Sequence, residues 1–287
     1  LPRCSKSLQL SFYNHVLINR NLISELYRRK LFTKVGSLLL FFENFLQCNN
    51  WVRTRYYDEI KQGEVRNMEL VKTSDLKKYY RNGEICVKAL DHVNLSVEEG
   101  EFIAVVGPSG CGKTTLLNML GGLDNPTEGS VLIHGKDITK MKSEELTVYR
   151  RKHIGFVFQN YNLLQTLNVK SNILLPLYLG NSKIDEVYFE EIVEILGIKN
   201  KLKNLPNTLS GGQQQRVAIA RAMITKPDIV LADEPTGNLD SESSEEVLRL
   251  LRESGERYNQ TIIMITHSKE IAETASRIIR MRDGKIV

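Results

Sequence analysis

The chain is poor in cysteine, has a single tryptophan, and contains no apolar run of membrane-spanning length. Its four cysteines (Cys4, Cys48, Cys86, Cys111) form no C-x-x-C pair and no zinc spacing, so a dithiol redox motif and a cysteine-rich zinc module are both excluded. A reduced setting is the expectation. The longest apolar patch near the start, Leu38-Leu39-Leu40-Phe41-Phe42, is broken by Glu43, far short of the roughly twenty residues that a membrane-crossing helix needs. No charged start, long apolar core and small-residue cleavage site follow one another, as a signal peptide requires. Internal repeats and low-complexity tracts are also missing.

Methionine is missing before Met68, and the charge is uneven. Residues 1–67 hold eleven Lys and Arg against five Asp and Glu, whereas the remainder holds 28 against 29. The basic excess therefore lies wholly in the leading segment, and no nucleic-acid partner is expected for the rest. Gly63-Glu64-Val65 can be encoded by a purine-rich string that resembles a bacterial ribosome-binding site just upstream of Met68. Residues 1–67 are accordingly expected to be an atypical basic leader outside the native protein; the alternative is an amphipathic membrane-surface extension. Residues 68–287 form the expected domain, long enough to bury one substantial α/β core.

That domain is built around Gly107-Pro108-Ser109-Gly110-Cys111-Gly112-Lys113-Thr114, which fits the G-x-x-x-x-G-K-[ST] phosphate loop without a mismatch. Phe102-Ile103-Ala104-Val105-Val106 before it reads as a buried parallel strand, and Thr115 onward as a helix. Strand, glycine loop and helix direct backbone N–H groups and a helix N-terminus at one anionic site. Lys113 can then reach the β- and γ-phosphates of a nucleoside triphosphate, and the Thr114 hydroxyl can ligand Mg²⁺. All of 107–115 is expected to line that site. Cys111, inside the loop, is expected to be protected from thiol reagents by ATP.

Strand patterns also occur at 70–76, 89–97, 129–133, 154–158, 229–232 and 261–265, with a mainly helical stretch over 160–222 and a helix over 242–258. Asp283-Gly284 signals a two-residue hairpin. The order predicts a RecA-like α/β core with an antiparallel β subdomain and a helical subdomain. Ile229-Val230-Leu231-Ala232 places Asp233 and Glu234 at a C-terminal strand end, where parallel-sheet sites lie. Asp233 suits Mg²⁺, and Glu234 suits a general base beside the γ-phosphate. In Leu209-Ser210-Gly211-Gly212-Gln213, Ser210 can cap the following helix, and the two glycines let a phosphate approach its positive end.

With the phosphate loop and the acidic strand end at this spacing, Leu209 to Gln213 is the signature of ATP-binding cassette (ABC) proteins, which residues 68–287 closely resemble. The resemblance implies further assignments. Gln159 corresponds to the Q-loop glutamine that contacts Mg²⁺ and the lytic water. Asp240 corresponds to the D-loop aspartate at the dimer interface, and His267 to the switch histidine on the γ-phosphate. Tyr80 corresponds to the aromatic that stacks on adenine, with Tyr79 as the alternative. Ser210, Gly211, Gly212 and Gln213 correspond to the residues that meet ATP held by the opposite subunit.

Asp233-Glu234-Pro235-Thr236-Gly237-Asn238-Leu239-Asp240-Ser241 is similar to the branch containing the MacB, LolD, FtsE and bacitracin-export ATPases. This implies an ATP-hydrolysing subunit that works as a head-to-tail homodimer at the cytoplasmic face of a bacterial membrane. Its partner would be a separate integral-membrane permease of the FtsX type, driving export of the antimicrobial-peptide or lipoprotein type or mechanotransmission across the membrane. An importer ATPase and a soluble non-transport ATPase are the alternatives. With Lys113 and Ser210 only 97 residues apart, no long coiled coil divides the cassette.

Overall fold

The computed structural model describes residues 69–83 and 85–287, which lie within one unit, Asn67–Val287. The expectations placed on residues 1–67 lie outside the described residues. Two sheets organise the unit. The first is antiparallel and combines β1 (Glu69–Asn82), β2 (Ile85–Glu98), β4 (Glu128–Ile133) and β5 (Lys136–Asp137) in the order β2-β1-β4-β5. The second orders six strands as β10-β9-β3-β8-β7-β6. It contains β3 (Phe102–Val106), β6 (Ile154–Phe158), β7 (Ile229–Asp233), β8 (Thr261–Ile265), β9 (Arg277–Arg282) and β10 (Lys285–Ile286). Within it β3 pairs in parallel with β8 and β9, and β7 with β6 and β8; β10 alone turns back antiparallel on β9.

Parallel strands buried on both faces need apolar residues at every position, and their side chains alternate between faces. Both consequences are visible. Val230 and Ala232 of β7, with Ile262 and Met264 of β8, enter one core; Ile229 and Leu231, with Ile263 and Ile265, enter another. The first core is roofed by α3 (Val169–Leu179), α4 (Glu186–Ile195), α5 (Gly211–Met223) and α6 (Ser241–Tyr258). The second lies between the two sheets and takes in α1 (Lys113–Leu120) and α2 (Ser143–His153). Each fully buried side chain, such as Phe189 or Leu116, contributes about 1.5–3 kcal/mol.

The expected RecA-like core with its antiparallel β and helical subdomains is the observed architecture. The strands over 154–158 and 261–265 fall where the sequence places them. Asp283 (φ 49°) and Gly284 (φ 77°) make the hairpin turn that joins β9 to β10. The structure adds elements that the patterns did not signal: α2, β9, the short α7 (Lys269–Glu273) and the continuation of β1 through Tyr79 and Tyr80.

Candidate nucleotide site

The phosphate loop leaves β3 at its C-terminal end and runs directly into α1. Gly110 and Gly112 take φ of 76° and 103°, values that a side chain opposes. Gly112 is also tightly packed: a Cβ there would lie 2.1 Å from the carbonyl oxygen of Ala89 in β2. On another side the C-terminal hairpin braces the loop. The Gly284 N–H donates to the Cys111 carbonyl at 3.0 Å, while the Gly284 carbonyl accepts from the Asp91 N–H at 2.9 Å. A Cβ at Gly107 would fall 2.2 Å from the Met281 carbonyl oxygen. Cys111 is buried within this wrapping.

Lys113 is buried and donates through Nζ to the Gly107 and Pro108 carbonyls, both at 2.9 Å. Gly112 caps α1, so no side chain occupies its first amides, and its first turn holds no acidic residue. Uncapped amides, the helix dipole and a lysine together form an anion site. Beside them the Thr114 hydroxyl faces Asp233 Oδ1 at 3.4 Å. Burial pushes the Asp233 carboxyl upward from its ordinary value; the Thr114 hydroxyl opposes the shift and the Glu234 charge adds to it. A hydroxyl and a carboxylate are the hard oxygen donors that suit Mg²⁺.

Glu234 occupies an unusual backbone conformation for a residue with a side chain, φ 45°. Its N–H donates to the Ile265 carbonyl at 3.1 Å, and its own carbonyl accepts from the Gly237 N–H at 3.0 Å. These bonds turn the chain at the strand end and aim the carboxylate at His267, whose Nε2 it pairs with. Gln159, directly after β6, rests against the same turn. Asn238 Nδ2 donates to the Gln159 carbonyl at 3.0 Å, and a Cβ at Gly237 would lie 2.6 Å from Gln159 Nε2.

The Ser-Gly-Gly turn belongs to a second cluster. Ser210 Oγ accepts from the Gln213 N–H at 3.3 Å, and the Ser210 N–H donates to Gln213 Oε1 at 3.2 Å, a complete capping box on α5. A Cβ at Gly211 would approach the Tyr161 hydroxyl to 2.9 Å, and Gly212 faces Ser243. Asp240 caps α6, accepting from the Ser243 N–H at 2.9 Å and the Ser243 hydroxyl at 2.8 Å, bonds that lower its pKa. Among the described residues, no hydrogen bond or ion pair joins 107–114 to 210–213.

The two tyrosines separate clearly. The Tyr80 hydroxyl donates to Asp124 Oδ2 at 2.9 Å and lies within reach of Thr115 on α1, leaving the ring 44 % exposed. Lys78 donates to the other Asp124 oxygen at 2.8 Å and sits 4.9 Å from the centre of the Tyr80 ring. Tyr79 instead donates to Asp91 at 2.5 Å. Sequence reasoning missed Asp124, and it missed Arg221. Arg221, on α5, donates to the Tyr161 and Asn162 carbonyls at 2.7 and 2.5 Å, two consecutive residues at φ 56° and 49°. It thereby ties the helix that Ser210 caps to the loop that follows Gln159.

A strand–glycine loop–helix unit with an acidic strand end beside it, joined to a capped Ser-Gly-Gly helix, defines a P-loop nucleotide-binding cassette. The family model described as ABC transporter matches residues 90–237. The chain belongs to the ABC transporter family and is an ATPase of the ABC type. It is 47 % identical over 221 residues to an uncharacterized ABC transporter ATP-binding protein of Thermotoga maritima, covering 76 % of this chain and 93 % of that one. Identity is 45 % over 222 residues to the uncharacterized ABC transporter ATP-binding protein MJ1508 of Methanocaldococcus jannaschii, covering 76 % and 98 %. The macrolide export ATP-binding/permease protein MacB of Syntrophobacter fumaroxidans is 47 % identical over 223 residues, which make up 76 % of this chain. This chain spans about a third of the length of the MacB proteins it matches. Among solved structures, the ATP-binding cassette MJ0796, in a dimeric post-hydrolysis state bound to ADP and Pi, matches with a TM-score of 0.70 and 41 % identity. That match covers 76 % of this chain and 96 % of the other.

Proposed function

We propose that the chain is the ATP-hydrolysing subunit of a membrane export or mechanotransmission assembly, working as a head-to-tail pair with a separate permease at the cytoplasmic face. The observation that carries the catalytic part is the Glu234–His267 pair, held at the end of β7 beside the phosphate loop. Lys113, the loop amides and Thr115 hold the triphosphate, and Tyr80 stacks on the base. Glu234 takes a proton from the attacking water as its oxygen adds to the γ-phosphorus and the bridging oxygen leaves with ADP. His267, kept in place by Glu234, contacts the γ-phosphate, and Gln159 orients the water. Mg²⁺ held by Thr114, Asp233 and Gln159 would neutralise charge on the phosphate oxygens.

The pairing rests on the separation of the phosphate loop from the Ser210 turn within one chain. A second copy related by a twofold axis supplies the missing half of each site, and the matched MJ0796 cassettes are described as dimeric. Asn238, packed against Gln159 and Gly211, and Asp240, two residues on, then lie where one subunit senses the other. Among the described residues, no helix is long and apolar enough to cross a membrane. The stretch 160–179 supplies the surface for the permease, with Leu164, Tyr178 and Leu179 exposed. The matched MacB proteins are macrolide export ATP-binding/permease proteins by name, which favours outward transport.

The test is Glu234→Gln. Turnover should fall about 10²- to 10⁴-fold, ATP affinity should be retained, and the variant should run as a stable dimer in ATP. Pull-down of that trapped form from solubilised membranes should bring a multi-span protein with it. Hydrolysis at the wild-type rate would remove Glu234 from the role of base.

A further inference from the structure

Far from the phosphate loop, at the N-terminal ends of the parallel strands, lies a cluster that the reaction does not use. Among the described residues, His134, His153 and Asp228 form one group whose ligand atoms all lie within 4.8 Å of one another. His134 Nε2 is 3.0 Å from Asp228 Oδ2, and His153 Nδ1 is 2.6 Å from the same oxygen. The chain has five histidines in all, so two of them meeting on one carboxylate is a specific arrangement.

The three side chains come from three separate elements and are set by fixed backbone. His134 sits in the β4–β5 turn at φ 50°, its N–H donating to the Leu70 carbonyl at 2.9 Å. His153 is the last residue of α2, with its ring packed on Tyr149 at 4.3 Å between centres. The Tyr149 hydroxyl in turn donates to the Ile133 carbonyl at 3.0 Å. Asp228 immediately precedes β7; its N–H donates to the His153 carbonyl at 3.1 Å and its carbonyl accepts from the Thr261 N–H at 3.0 Å. Behind His134, Glu99 Oε1 lies 3.9 Å from Nδ1, the ring nitrogen not aimed at Asp228. That is an ion-pair distance rather than a hydrogen bond, and a small side-chain rotation would bring the carboxylate onto the far nitrogen, where a metal-bound imidazole usually has its outer partner. The side chains are between 27 and 38 % exposed, so an ion can reach them from solvent.

We infer that His134, His153 and Asp228 form a binding site for a divalent transition ion of the zinc type, with Glu99 as its outer carboxylate. Two imidazoles and one carboxylate are a donor set that zinc accepts, with water in the fourth position. The same set is too rich in nitrogen for Mg²⁺. The ion would pin the antiparallel sheet to the start of β7. That strand carries Asp233 at its other end, about 16 Å away at ~3.3 Å per residue, so the ion is not part of the hydrolytic chemistry.

The experiment titrates the full chain, without nucleotide or Mg²⁺, with Co²⁺ alone and then with Zn²⁺ as competitor. One Co²⁺ per chain should bind with the visible absorption of a four-coordinate N/O site, and Zn²⁺ should displace it. Zn²⁺ at about 100 times its Kd should raise Tm by roughly 5–10 °C. His134→Gln and Asp228→Asn should each abolish the band and the Tm rise while leaving ATPase activity unchanged. Glu99→Gln, which keeps all three ligands, should weaken binding about tenfold; it decides the matter if either ligand variant fails to fold. The inference is overturned if the wild-type chain binds no stoichiometric Co²⁺ at about 100 μM, a concentration well above the dissociation constants of built protein metal sites. It is equally overturned if the variants keep the band, which would place the ion on other histidines, or if Zn²⁺ leaves Tm unmoved and the cluster is a hydrogen-bonded clamp only.

Discussion

Gly110 and Gly112 offer a controlled comparison within one loop, because both take positive φ but only one is confined. At Gly110 an added Cβ meets nothing within 4 Å, so Gly110→Ala costs only backbone strain, about 1–2 kcal/mol. At Gly112 the φ of 103° is further from anything a side chain adopts, about 2 kcal/mol. The Cβ would in addition meet the Ala89 carbonyl oxygen at 2.1 Å and the Leu90 side chain at 3.4 Å. Ala89 sits where the β1–β2 register shifts, but its neighbours Lys88 and Leu90 are paired with Tyr79 and Lys78, and the turn at Gly284 lies against the same carbonyl, so it cannot retreat easily. Forcing them apart adds about 1–3 kcal/mol, for a total near 3–5 kcal/mol. For a domain of this size that is a fall in Tm of roughly 6–20 °C for Gly112→Ala against roughly 2–8 °C for Gly110→Ala. Differential scanning calorimetry of both variants without nucleotide measures the difference. Equal losses, or a larger loss at position 110, would refute the argument that β2 packs on the phosphate loop at Gly112.

Arg221→Ala should cost about 2–4 kcal/mol in urea unfolding, because it strands the two carbonyls at Tyr161 and Asn162. Arg221→Lys should recover less than half of that, since lysine lacks the planar fork that reaches both. Tyr80→Ala should weaken ATP binding by about 5- to 150-fold, measured by equilibrium titration, given a stacking contribution of about 1–3 kcal/mol. Tyr80→Phe should lose little of it, and Tyr79→Ala should leave nucleotide affinity nearly unchanged.

Contiguous motifs were legible, and contacts between distant segments were not. β6 and β8 could be read to the residue because each is a short, mostly apolar run that is buried or half-buried throughout. In Arg277-Ile278-Ile279-Arg280-Met281-Arg282, by contrast, three arginines interrupt the apolar positions and disguise β9 as a surface segment. α2 buries only Tyr149, so a helix made of charged residues left no apolar stripe to find. The phosphate loop, the acidic strand end and the Ser-Gly-Gly turn each carry their chemistry within a few residues, so spacing sufficed. Arg221 reaches back 59 and 60 residues to its carbonyls, and Tyr80 reaches 44 forward to Asp124. His134, His153 and Asp228 stand 19 and 75 residues apart, a separation that fits no short metal motif and only the packing of two sheets closes.

The bond from Gly284 to Cys111 spans 173 residues, and it bears on the order in which the chain acquires its parts. Contacts of such separation form late, because the long loop they close must first lose its freedom. β3 likewise finds its neighbours only in β8 and β9. A chain emerging from the ribosome can thus build the β1–β2 hairpin and the α3–α5 helices while its phosphate loop still lacks a brace. Tight ATP binding is therefore a late property of the nascent protein, gained when the β9–β10 turn arrives, and a chain stalled before residue 284 should fold in large part yet hold nucleotide poorly.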